Sequence, residues 1–386
     1  MNKKFLFTFL FLPLVGCQSL SDVRSVAELK KLSKKIDKQP HDVVGIYEQA
    51  KRTEKTISQE TKTVRQLLAI LEEVISKRWG KGNEQLPSKK KYVKYSNDYK
   101  ARAIVDFNLG KVIIETIEQQ TPSAMLTKAT TATLLSPSDP NKNDIFSSKP
   151  FELSGEPFLY PQVADHEGKL VRFQWRADRY ANHLVSKGIN KKIANGKTIY
   201  WLEFNLLDNN QQLRKQKYSQ HVLAAAKQYN VPASLIYAVI ETESSFNPFA
   251  VSSAGAYGLM QVVPSTAGKD VYQKIKNKAG QPTKKVLFDV AQNIDIGSAY
   301  LHILKDNYLK AIQQKKSKHY AIISAYNGGA GNVLKTFDIR RDRAMDNINA
   351  AQPSQVYSKL RHQHPSLESR KYLEKVTAAE KGYLNN

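Results

Sequence analysis

Hydrophobic spacing changes character along this chain, and the change calls for two kinds of architecture. Between Tyr99 and Glu118 the apolar Ala101, Ala103, Val105 and Phe107 alternate, Asn108-Leu109-Gly110 interrupts the run, and Val112 and Ile114 resume it. Period two around a turn is the pattern of a hairpin. A second hairpin is expected at residues 191–204, where Asn195-Gly196 separates two strand-like stretches, because that dipeptide accepts the positive φ values of a two-residue turn. From about Gln211 the spacing becomes helical and stays so. Asp289-Val290-Ala291-Gln292 reads as a capping box opening a helix whose Ile294, Tyr300, Leu301, Ile303 and Leu304 supply core. The expected fold class is α+β: an α/β N-terminal domain followed by a mainly α-helical one.

At 386 residues the chain has room for two or three domains. The expected division is a leader at 1–16, an N-terminal α+β domain at 17–205 and a helical domain at 206–386. Residues 18–82 are expected to be helical, with Val64, Leu67, Leu68, Leu71, Val74 and Ile75 forming one apolar face too short for a coiled coil. Ala124 to Leu135 suggests a short helix, and the polar stretch Ser136 to Pro150 reads as an exposed loop. The N-terminal part shows no catalytic constellation, metal spacing or repeat, so a positional role is expected for it.

The chain begins with Lys3-Lys4 and the apolar run Phe5 to Leu12, ending Leu14-Val15-Gly16 before Cys17. That is a signal peptide, too short for a permanent bilayer span. Its ending resembles a bacterial lipobox, which implies lipidation of Cys17. Cys17 is the sole cysteine, so no intrachain disulfide is possible; the alternative is cleavage to a free periplasmic protein with an idle thiol. Gln18, in place of an aspartate, implies the inner leaflet of an outer membrane, with the protein facing the periplasm. The net charge, 59 − 35 = +24, raises the question of nucleic acid, which export argues against. Lys30-Lys31, Lys89-Lys90-Lys91 and Lys315-Lys316 are scattered short groups without a zinc-ligand or RNA-binding signature. They suit cell-wall carboxylates or anionic headgroups, or simply a solvated surface.

The chemistry centres on Glu243. Counting along Leu235, Ile236, Val239 and Ile240, Glu243 falls within the apolar stripe while Glu241 falls on roughly the opposite face, toward water. A carboxyl against apolar surface without a cation has its pKa raised, as a general acid requires; a frayed, solvated helix end is the other reading. No Asp or Glu occurs between Glu243 and Asp270, so this acid has no local carboxylate partner. His302 reads as a surface or packing histidine, and His362 and His364 lack the acids a metal site would need nearby. No metal or cofactor is expected.

Glu243-Ser244-x-Phe246-Asn247-Pro248, then Ser252, Gly255-Ala256-x-Gly258-Leu259-Met260-Gln261 and Thr266-Ala267, is similar to the soluble-lytic-transglycosylase family of peptidoglycan-cleaving enzymes. Ala325-Tyr326-Asn327-Gly328-Gly329 and Glu368-Ser369-Arg370-x-Tyr372-x-x-x-Val376 extend the resemblance. It implies a lysozyme-like catalytic domain that cleaves the β-1,4 bond between N-acetylmuramic acid and N-acetylglucosamine in glycan strands. The muramyl C6 hydroxyl replaces water and leaves 1,6-anhydro ends, Glu243 serving as acid and then base. It also implies substrate contacts from Ser252, Met260, Gln261, Tyr326 and Glu368. By the residues alone Ser252 reads as a turn, Met260 equally as core filler, Tyr326 as a packing ring and Glu368 as a helix-dipole residue, with Tyr372 packed behind the cleft. After Gln261, Val262-Val263-Pro264 stands where the family often has Met-Pro, apolar for apolar. A monomer is expected. A lysozyme-type hydrolase using Glu368, or a non-catalytic wall-binding lipoprotein, are the competing readings.

Overall fold

The computed structural model describes residues 59–151 and 153–384. The leader, Cys17 and the helical reading of residues 18–58 lie outside the described residues. Helix α1 (Gln59–Trp79) buries Val64, Leu67, Leu71, Val74, Ile75 and Trp79 along one face. It spans the two halves of the molecule. At one end the Trp79 indole donates to the Tyr99 carbonyl in the sheet at 2.7 Å; nearer the other, Arg65 donates to the Ser253 carbonyl in the helical half.

The sheet is antiparallel throughout, in the order β1 (Lys91–Ser96), β2 (Ala101–Asp106), β3 (Lys111–Thr116), β5 (Lys197–Asn205), β4 (Asn190–Ala194). Asn195 and Gly196 both take positive φ, 48° and 72°, so the β4–β5 turn has the conformation that keeps right-twisted strands paired. Helix α2 (Pro122–Leu134) packs on β2, β3 and β5, with α3 (Gln174–Lys187) against it. Every residue of β2 is buried, so the polar positions of its alternation are not solvated. Arg102 bonds Glu115 at 2.6 Å, lies over the Trp79 ring at 3.8 Å and donates to the Asn83 carbonyl.

The stretch 136–150, expected to be an exposed loop, is instead largely buried, including Ile145 and Phe146. Its polar groups are satisfied inside: Asn143 donates to the Tyr92 hydroxyl at 2.8 Å, and Lys94 donates to the carbonyls of Asp144 and Ser147. Polarity signals exposure only when the partners are water, and here they come from β1. Burial pushes the Lys94 ammonium down to about 8.

Eleven helices build the second half among the described residues: α4 (Asn210–Lys217), α5 (Ser219–Tyr229), α6 (Ala233–Ser244), α7 (Lys269–Lys274), α8 (Lys284–Phe288), α9 (Val290–Ile303), α10 (Lys315–Gly328), α11 (Ala330–Lys335), α12 (Arg341–Ala350), α13 (Pro353–Gln363) and α14 (Leu367–Leu384). Helix α6 is central, packed on α14 and α5, with Leu235, Ile236, Val239 and Ile240 buried. Asp289 caps α9 by accepting the Gln292 amide at 2.9 Å. Beyond α6, Ser245 and Phe246 take φ of 49° and 61° and fold the chain sharply back. Phe249 then packs on Tyr92 and Phe158, ring centroids 4.9 and 5.2 Å away, which joins the sheet half to the helical half at this turn.

The segment after the turn is held by Asn293 of α9. Its side chain accepts the Met260 amide and donates to the carbonyls of Tyr257 and Leu287, all at 2.8 Å. Gly258, at φ +72°, lies so close that a Cβ there would stand 2.4 Å from the Asn293 amide nitrogen and 2.7 Å from the Leu287 carbonyl oxygen.

Two substitutions test this construction. Gly258→Ala should destabilise the helical half by more than about 1 kcal/mol, from left-handed strain and the clash with Asn293, read as a lowered thermal midpoint. Arg102→Ala, which leaves Glu115 buried with only Lys192 at 2.7 Å, should cost about 3–5 kcal/mol in denaturant unfolding, the size typical of breaking a buried ion pair.

Candidate active site

Glu243 sits in the last turn of α6 and is only 4% exposed. Its stripe position carries it inward, and two tyrosines close over it. Tyr326, at the end of α10, donates its hydroxyl to the Met260 carbonyl at 2.9 Å. The buried Tyr372 hydroxyl, from α14, faces the Glu243 carboxyl. Burial, reinforced by the Glu243 charge, pushes both phenols well above the ordinary tyrosine range, so both remain neutral donors at physiological pH.

The sequence suggested a carboxyl without a cation, and the structure corrects that. Lys89, from the stretch leading into β1, places its ammonium 3.1 Å from Glu243 Oε2 and 3.6 Å from Glu368 Oε1. Burial raises the Glu243 carboxyl above its ordinary range, and the Lys89 charge and hydrogen bond pull it partly back. For Lys89 itself burial works downward, but the two carboxylates outweigh it and hold the ammonium above the usual lysine value. Glu241 is also corrected: it is half-buried and accepts the Tyr383 hydroxyl at 2.5 Å, because α14 covers that side of α6.

Gln261 is buried at a positive φ of 50°; its amide nitrogen donates to the Gly258 carbonyl at 3.0 Å, while Oε1 has no hydrogen-bond partner. Ser252 is half-buried, and its hydroxyl accepts the Ala256 amide at 3.2 Å, the turn geometry its residue type favours. The Met260 side chain is fully buried, packed so tightly on Gly297 of α9 that a Cβ there would stand 2.5 Å from its sulfur. Of its two readings, packing favours core filler. Glu368 lies in the first turn of α14, largely exposed, with Asn327 donating to it at 3.4 Å. Gly328 permits this approach of α10 to α14, since a Cβ would meet Ser369 Oγ at 2.5 Å and His364 at 2.6 Å.

Glu243, Tyr326, Tyr372, Lys89 and Glu368 are thus gathered at one place, with the Met260–Gln261 backbone tied in through Tyr326. A cavity of about 390 Å3 lined by Asp270, Tyr300, Tyr308, Leu334 and Ile339 adjoins them, the Tyr300 ring lying 5.7 Å from that of Tyr326. Lys89 is the residue that sequence reasoning passed over as one of a basic cluster. It is 154 positions from Glu243, and no local pattern signals such a pairing. His302 contacts the Tyr229 carbonyl and Asp306, and among the described residues no group of His, Cys, Asp and Glu is placed to hold a metal ion.

The family model described as Membrane-bound lytic murein transglycosylase C, N-terminal domain matches residues 57–217, and that described as Transglycosylase SLT domain matches residues 220–349. The membrane-bound lytic murein transglycosylase C of Serratia proteamaculans (strain 568) is 45% identical over 306 residues, 79% of this chain and 85% of the relative. That of Klebsiella pneumoniae (strain 342) is 44% identical over the same span. A solved structure of an inactive mutant of the lytic transglycosylase Slt from Pseudomonas aeruginosa matches 44% of this chain and 24% of its own at 25% identity, TM-score 0.33. Identity of this level over most of both chains, spanning the sheet half and the helical half alike, makes this chain a member of the membrane-bound lytic murein transglycosylase C family.

Proposed function

We propose that the protein is a peptidoglycan lyase that cleaves the β-1,4 bond between N-acetylmuramic acid and N-acetylglucosamine without water, leaving 1,6-anhydromuramyl ends. Membership of the lytic murein transglycosylase C family supports peptidoglycan cleavage. The observation that carries the mechanism is one buried carboxyl, Glu243, set beside two neutral tyrosine hydroxyls. In this reading Glu243 first protonates the glycosidic oxygen, then as carboxylate takes the proton from the muramyl C6 hydroxyl, so that one group serves both half-reactions. Glu368, the second acid near it, is solvent-exposed and engaged by Lys89 and Asn327, which disfavours it as the group that activates a water. The unpartnered Gln261 Oε1 is a buried polar atom that a sugar hydroxyl would satisfy. Ser252 is assigned to the rim of the same site.

We take residues 17–205 as an N-terminal domain and 206–386 as the catalytic one, held to the inner leaflet of the outer membrane by acylated Cys17 and facing the periplasm. The relatives' description as membrane-bound supports attachment, and no described helix is long and apolar enough to cross a membrane. Cys17→Ala should move the protein from the membrane fraction to the soluble one on fractionation of expressing cells; continued sedimentation with membranes would count against the anchor.

The principal test is mass spectrometry of sugars released from purified peptidoglycan. Muramyl ends one water lighter than hydrolysis products are expected, absent with Glu243→Gln, and reducing ends would mark a hydrolase instead. Tyr326→Phe, which removes only the hydroxyl bonded to the Met260 carbonyl, should lose less activity than Glu243→Gln; equal loss would mean the roles are misassigned. Because the first step needs protonated Glu243, activity should be present below its raised pKa and fall as pH rises through it. An initial-rate profile against pH checks that sign.

A further inference from the structure

We propose that Lys89 is a positioning residue of the catalytic centre, supplied by the N-terminal half, whose ammonium steers the Glu243 carboxylate toward the cleft and balances the charge left when Glu243 gives up its proton. The inference rests on the reading of Glu243 as acid and base.

Its first support is placement. The backbone that presents Lys89 is fixed: the Asn247 amide nitrogen donates to the Lys89 carbonyl at 3.2 Å and to the Ser88 carbonyl at 3.5 Å, and Ser88 N–H donates to the Lys91 carbonyl at 3.0 Å. Three residues beyond Lys89, Tyr92 packs on Phe249. Asn247 and Phe249 belong to the turn that ends α6, so the same few residues that aim Glu243 inward also hold the segment that delivers its counter-ion.

The second support is the charge inventory. Around the Glu243 carboxyl stand Lys89 and Lys90 from the stretch before β1, Tyr326 from α10, and Glu368 and Tyr372 from α14. Among the described residues Lys89 alone brings a cation within hydrogen-bonding distance of it. The tyrosines are neutral, Lys90 is further off, and Glu368 is a like charge that also draws on the Lys89 ammonium at 3.6 Å.

The third support is chemical. A group that must donate a proton and then accept another needs both states within reach. Burial alone favours the neutral acid, which holds its proton too firmly and leaves a poorly stabilised carboxylate after donation. An ammonium at 3.1 Å offsets that penalty at the atom where the charge develops. The competing view is a bridge that merely ties the two halves together, and such a bridge would not move the titration of the reaction.

The experiment uses the full chain in detergent with purified peptidoglycan, following the initial rate of anhydro-end formation across pH for the parent, Lys89→Met, Lys89→Arg, Glu368→Gln and Glu243→Gln. Lys89 favours the carboxylate, so Lys89→Met should lower the rate and move the alkaline limb upward in pH, and Lys89→Arg should restore the limb toward the parent position. Should Lys89→Met fail to fold by thermal melting, Glu368→Gln still tests the idea: with the like charge gone, the limb should move downward. A Lys89→Met enzyme whose limb stays put, whether its rate falls or not, overturns the proposal, as does an unmoved limb in Glu368→Gln when Lys89→Met cannot be measured. Full turnover by Glu243→Gln would locate the failure in the acid–base assignment itself and take this inference with it.

Discussion

The left-handed turn at Ser245 and Phe246 is the constraint on which the rest of the site depends. It stops α6 one residue after Glu243 has been carried inward by the helical stripe, and it reverses the chain so that Asn247 and Phe249 face the N-terminal half. Positive φ at two consecutive non-glycine residues is costly and persists only where packing over-determines it. That packing is visible: Phe246 is fully buried near Tyr218 and Tyr237, and Phe249 is locked between Tyr92 and Phe158. A helix that ran on for one more turn would direct Asn247 elsewhere and break the contact with residues 88 and 89.

Interlock of the two halves follows from that turn. Helix α1 reaches from the sheet to the Ser253 carbonyl, the stretch before β1 lies against Asn247, and in the 136–150 segment Asn141 donates to the Lys285 carbonyl at 3.2 Å. Such docking gives the N-terminal half a direct bearing on the proposed acid, beyond distance-keeping from a membrane. The wall opposite Glu243 is set by a different device, the trio of Asn293 hydrogen bonds with Gly258 beneath them. These fix the Met260–Gln261 backbone to which Tyr326 is bonded.

Much of the local structure was legible. Period-two alternation with Asn195-Gly196 marked β2 to β5, though not β1, and helical spacing marked α1, α6 and α9, because apolar periodicity records which face an element buries. Glu243 was legible for the same reason: its place in the stripe dictated burial. What misled were polar residues with internal partners. The stretch 136–150 looked solvated because its serines, asparagines and aspartates are bonded by Lys94 and Tyr92, residues distant in sequence. Glu241 was placed in water by the helical wheel of α6, which cannot know that α14 lies across that face.

The sequence by itself determined the two hairpins, the change to helical spacing near Gln211, the burial of Glu243, the lack of a neighbouring acid before Asp270 and the motif blocks that mark the family. All of these are properties of residues close together along the chain, where backbone period and residue type suffice. Only the tertiary structure decided what surrounds the carboxyl: Tyr326 and Tyr372 from two further helices, and Lys89 from the other half of the molecule, 3.1 Å away. An electrostatic environment is set by distance in space, falling off with separation and with access to solvent, and the chain's one-dimensional order holds no record of which charges folding will bring together.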